Sequence, residues 1–195
     1  MARGLWHAFG HLRERRPAGL GLIVIGFQRI FYGMTQVATI LLFRNWFHEV
    51  DQIEPAMRDL GLWAGATGVG FIVSAIVVPP LARRIGVRYA IVALVVGAGV
   101  LQIVPGSIFT LPTLVVAGFL LGIGSQSLKI CVDTLVQAHV DDDFKGRVFT
   151  LYDMIFNACF VGAALLTWAL LPADGHTLAG FITLGVCLIV TLSLI

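Results

Sequence analysis

Four ionisable side chains, Arg29, Lys129, Asp133 and Asp153, stand inside long apolar runs of this sequence. A charge at the centre of a membrane costs about 2.5–3.5 kcal/mol on insertion scales, and proteins keep one there to bind an ion, carry a proton or line a polar path. The spacing groups them. Gln126, Lys129, Asp133 and Gln137 fall at i, i+3, i+7 and i+11, one face of a helix. Lys129 and Asp133 are then an i,i+4 pair able to neutralise each other. Gln28, Arg29, Tyr32, Gln36 and Thr39 form a comparable stripe, and Thr150, Asp153 and Asn157 repeat it. Stripes of this kind should face one another or water rather than lipid. They read as a polar pathway that includes ion pairs, set against the plainer alternative of a structural ion-pair network. At about 1.5 Å per residue, Arg29 falls near mid-membrane and Lys129 slightly lower, with Asp133 and Asp153 nearer the cytoplasmic surface. Lys129 can therefore meet Asp153 across the hairpin of spans four and five, and is expected within ion-pair reach of Asp133 or Asp153. If protons are carried, Asp133 and Asp153 are the candidates.

Little else in the chain suggests chemistry. No HExxH, GxSxG or Walker sequence occurs, and the segment 65–70, rich in glycine, lies inside an apolar run rather than after a strand. The five histidines, His7, His11, His48, His139 and His176, all fall near loops, and Cys131, Cys159 and Cys187 form no CxxC pair. No catalytic site, metal or cofactor is expected. Asp141, Asp142 and Asp143 read as a solvated run at the N-terminus of the next helix. A net charge of +2 gives no ground for a nucleic-acid partner.

The elements that must hold these stripes are membrane helices. Charged residues make up 12% of the chain against about 25% in a soluble domain, and mean hydropathy is +0.92. Six apolar runs are each long enough to span a bilayer: 18–43, 60–81, 89–108, 111–138, 148–171 and 177–195. Apolar character is continuous and never alternates, so helices are expected rather than barrel strands. Residues 1–17 read as a basic cytoplasmic leader, with Leu5, Trp6, Phe9 and Leu12 suggesting an interfacial helix. Breakers mark the connections, Pro79-Pro80 among them, and short connections should make sequential helices antiparallel neighbours. The basic segments before span one, between spans two and three and between spans four and five share one side, which the positive-inside rule makes cytoplasmic. The N-terminus is then cytoplasmic too. The sixth run stops at Ile195 without a basic tail, which suggests a chain cut short. Two triplets of helices, each opening with a polar-striped span, must be inverted relative to one another because three is odd. The expected fold is an all-α membrane protein of six transmembrane helices in two inverted three-helix repeats.

The segment 79–88, Pro-Pro-Leu-Ala-Arg-Arg-Ile-Gly-Val-Arg, resembles a weakened copy of the loop signature G-x-x-x-D-R-x-G-R-R of the major facilitator superfamily. Arg84, Gly86 and Arg88 match; the Asp is replaced by Arg83, which puts an Asp-centred gating contact in doubt. Segment 144–149 resembles the superfamily's loop after the fourth helix of a half, with Gly146 and Arg147 matching. Segment 129–137 resembles the bacterial efflux-type branch. The resemblance covers nearly the whole chain and implies the C-terminal six-helix half of a permease. It implies alternating-access export of a small molecule, with the first and fourth helices lining a central cavity. A whole permease of this kind has about twelve spans. The implied partners are therefore substrate, lipid, and either the N-terminal half or a second copy, in a bacterial plasma (inner) membrane. The rival readings are a non-transporting membrane scaffold or assembly partner and a membrane-embedded enzyme.

Overall fold

The structure is a computed structural model that describes residues 16–170 apart from 50, 88, 91, 95, 98–107 and 109. Four long helices fill it: α1 (Arg16–Asn45), α2 (Ile53–Ile85), α3 (Leu111–His139) and α4 (Asp142–Leu170). Residues 87–97 also carry helical backbone where described, in the first part of the expected third span. The leader up to residue 15, the rest of the third span and the sixth span at 177–195 lie outside the described residues. By length and composition all four long helices can cross a membrane. Intrahelical hydrogen bonding is what such a sequence needs there, since hydrocarbon offers no partner for a bare amide.

Helix α2 runs past both ends of its expected span. Pro79 and Pro80 sit inside it, and it continues to Ile85. Expecting the prolines to break the chain was wrong: their fixed φ suits a helix, and membrane helices tolerate the lost amide donors. The stop comes instead at Gly86, at φ 85° and ψ 149°, a region essentially closed to residues with a Cβ. At its other end α2 begins seven residues early, which takes Asp59 out of the loop and into the helix. There Asp59 is buried and meets His48 Nε2 at 3.0 Å, tying the α1–α2 loop to the helix. Helix α4 likewise starts at Asp142, so the segment 144–149 is helical rather than a loop, and the link from α3 is only Val140 and Asp141.

The helices joined by short links, α1 to α2 and α3 to α4, are not the main packed neighbours, contrary to the expectation from those links. The major pairings are α2 with α3 and α1 with α4, with α1 against α3 between them. Small residues decide this. A Cβ on Gly70 would sit 2.3 Å from the Phe119 carbonyl oxygen, and one on Gly122 2.2 Å from that of Thr67. Ser74 and Ser127 share a hydrogen bond of 2.8 Å in the same seam. Gly33 approaches Ala163 in the same way between α1 and α4. Contacts advance together along both pairs (67 with 122 and 74 with 127; 26 with 155 and 33 with 163), so each pair is parallel. Helices α1 and α3, which run antiparallel, are the inner ones: their apolar windows are 67% and 56% buried, against 28% for α2 and 17% for α4.

Candidate functional site

Helix α3 places Lys129 and Asp133 one turn apart, and Lys129 Nζ donates to Asp133 Oδ2 at 2.8 Å. Both side chains are about a third exposed or less, so this is a close pair in a half-buried setting. Asp133 Oδ1 has no hydrogen-bond partner and is sealed from solvent. The Lys129 ammonium also lies 5.5 Å from the centre of the Tyr152 ring on α4. Tyr152 is buried, its hydroxyl sealed from solvent beside Asp133, with the charge of Arg29 also close by.

Helix α1 brings Arg29 into the same interior. The guanidinium lies over the Phe156 ring of α4 at 3.5 Å and over Tyr32, one turn on, at 4.9 Å. A position over aromatic faces is a favourable setting for a guanidinium, worth about 2 kcal/mol or more when desolvated. Gln28 and Tyr32 are also buried, and Gln36 is half-buried. Thr35 and Thr39 turn their hydroxyls onto the helix's own carbonyls. The bundle interior thus holds two cations, one carboxylate and two phenols, fixed on three helices by aromatic contacts and one ion pair.

The α4 stripe read from the sequence lies elsewhere. Thr150, Asp153 and Asn157 are exposed, facing out of the described bundle, and Thr150 and Asn157 hydrogen-bond their own helix backbone. Lys129 pairs with Asp133, and no ion pair joins it to Asp153. Tyr152 and Phe156 were missed as site residues. The signal was present: Val148, Tyr152, Ile155, Cys159, Ala163 and Thr167 repeat every three or four residues and form the face that turns inward. Gln126 is half-buried beside Lys129, whereas Gln137 is exposed.

The residues of the loop signatures gather at one end. Arg83, Arg84 and Gly86 are exposed at the end of α2, and Gly146 and Arg147 are exposed in the first turns of α4. Arg88 lies outside the described residues. A single apolar cluster joins Leu22 of α1, Val78 of α2, Val136 of α3 and Val148 of α4, so those two arginine-bearing ends are neighbours. No group of three metal-ligating side chains occurs among the described residues.

Among the described residues, four apolar helices long enough to span a bilayer, with Arg29, Lys129 and Asp133 turned into their shared interior, have the make-up of a multi-pass membrane protein. Two curated proteins are similar to it: uncharacterized MFS-type transporters of Mycobacterium bovis and of Mycobacterium tuberculosis. Each is 31% identical over 157 residues, covering 80% of this chain. The matched region is 34% of each relative, so the chain corresponds to about a third of their length. No family model matches the chain, and no solved structure matches it significantly.

Proposed function

We propose that this chain is a six-helix half of a major facilitator superfamily transporter, working with a second half by alternating access on an ion gradient. Export of a small amphiphilic compound is the direction and cargo it fits. The observation that carries the reading is the convergence of Arg29, Lys129, Asp133 and Tyr152 on the interior shared by α1, α3 and α4. Charges are held at such a depth where ions or polar substrates pass. The printed name of the two relatives supplies the transporter class.

The packing supports it. Exchanging α1 with α3 and α2 with α4 turns the parallel pair α2/α3 into the parallel pair α4/α1, as two inverted triplets would require. The outward stripe of Thr150, Asp153 and Asn157 cannot face lipid cheaply, so it suits a wall shared with a second bundle or with water. The test uses the full-length protein in proteoliposomes under an imposed proton or sodium gradient, with a panel of labelled amphiphilic acids, amines and neutral compounds. At least one compound should accumulate against its own gradient and be released by an ionophore. Accumulation no greater than in empty liposomes for every compound would overturn the reading.

A further inference from the structure

We infer that Arg29 is a docking point for an oxyanion, a carboxylate or its equivalent, on a substrate with an apolar body; this rests on the transporter reading and names its substrate class. Two charged residues are buried among those described, Arg29 and Asp59. Asp59 is matched by His48 at 3.0 Å and Arg58 at 3.3 Å. Arg29, at 8% exposure, has neither a carboxylate nor any hydrogen-bond acceptor among the described residues, and its Nε is sealed and unpartnered.

The nearby groups do not fill that role. The interior carboxylate, Asp133, is already held by Lys129 at 2.8 Å. Thr35 and Thr39 are committed to helix carbonyls. Phe156 and Tyr32 present ring faces to the guanidinium at 3.5 and 4.9 Å, contacts that supply no oxygen acceptor and leave its N–H donors unmatched. A planar fork of donors held against aromatic rings and lacking an acceptor is suited to take an oxyanion through two parallel hydrogen bonds. Two aromatic rings flanking the donor favour a ligand whose remaining surface is apolar. Lys129, already neutralised, contributes no second net charge, so one negative charge on the ligand balances the site.

The test uses full-length protein in detergent and in proteoliposomes, with benzoate, benzamide and benzylammonium as shape-matched probes. Benzoate should raise the melting temperature, and neither other probe should. Arg29→Gln should weaken the benzoate response at least tenfold in half-saturating concentration. Arg29→Lys, which keeps charge and folding but loses the fork, should weaken it less. Equal responses to all three probes, or a benzoate response unchanged in both variants, would overturn the inference. So would a structure of the whole protein in which a carboxylate of the protein pairs with Arg29. The two readings fail separately. Gradient-driven movement of amines alone, indifferent to Arg29→Gln, refutes the oxyanion site and leaves a transporter. Benzoate binding lost in Arg29→Gln without transport of any compound supports the site and refutes the transporter.

Discussion

At the scale of single residues, the half-buried pair of Lys129 and Asp133 acts through the penalty for removing one partner. Their separation of 2.8 Å satisfies the ammonium and one carboxylate oxygen together, while Asp133 Oδ1 stays sealed. Deleting Lys129 alone would strand a carboxylate against Tyr152. Breaking a fully buried pair costs on the order of 3–5 kcal/mol; here side-chain exposures of 34% and 26% admit some screening, so only part of that applies. Lys129→Met should therefore lower the melting temperature of the whole protein in detergent, and the double variant Lys129→Met/Asp133→Leu should recover most of the loss. A double variant no more stable than Lys129→Met would mean that the two residues do not act as a pair. The exposed Lys145–Asp142 contact on α4, at 2.6 Å, carries no such expectation, because solvent competes for both ends.

At the scale of helices, glycine selects which surfaces meet. Gly118 and Gly122 look the same in sequence as Gly61 and Gly65, since each pair is a small residue, three others and a small residue. The first pair carries the α2–α3 seam, where Thr67, Gly70 and Trp63 press against it; the second has open space where its Cβ atoms would be. Gly122→Val should thus separate α2 from α3, because the obstructing atom is the backbone oxygen of Thr67, which cannot step aside. Gly61→Ala should be tolerated. Folded yield on size-exclusion chromatography of the full-length protein would show the contrast, and equal yields would refute the seam. Helix identity was legible from unbroken apolar runs, and three polar stripes were legible from spacing. Which face α4 turns inward was marked by its apolar repeat rather than by its polar stripe. On α4 the polar stripe was expected to face other stripes or water, and the face with Ala163 and Tyr152 packs against α1, leaving Asp153 outside the described bundle. Helix ends were displaced for a related reason. Proline marks a lost donor, whereas the end of α2 is set by the backbone angles that Gly86 alone permits.

At the scale of the molecule, the two ends of the bundle differ in charge, and this fixes how the chain should sit. One apolar cluster gathers the start of α1 with the ends of α2 and α3 and the start of α4; a second gathers the end of α1 with the starts of α2 and α3. The first end carries Arg83, Arg84, Lys145 and Arg147 beside Asp141, Asp142 and Asp143. The second carries Arg44 and Arg58 beside Glu49, Asp51, Glu54 and Asp59. Lysine and arginine near span ends are retained on the cytoplasmic side, whereas acidic residues weigh little in orientation. The first end should be cytoplasmic. In full-length protein lacking its native cysteines, Arg84→Cys and Lys145→Cys should react with a membrane-impermeant maleimide only in inside-out vesicles, and Glu54→Cys only in intact cells. All three sites are on exposed or partly exposed turns, so labelling reports side rather than burial. Labelling of Arg84→Cys and Glu54→Cys from the same side would mean that α2 does not cross the membrane. The parallel pairing of α2 with α3, and the interior that holds Arg29 and Lys129, would then need a different explanation.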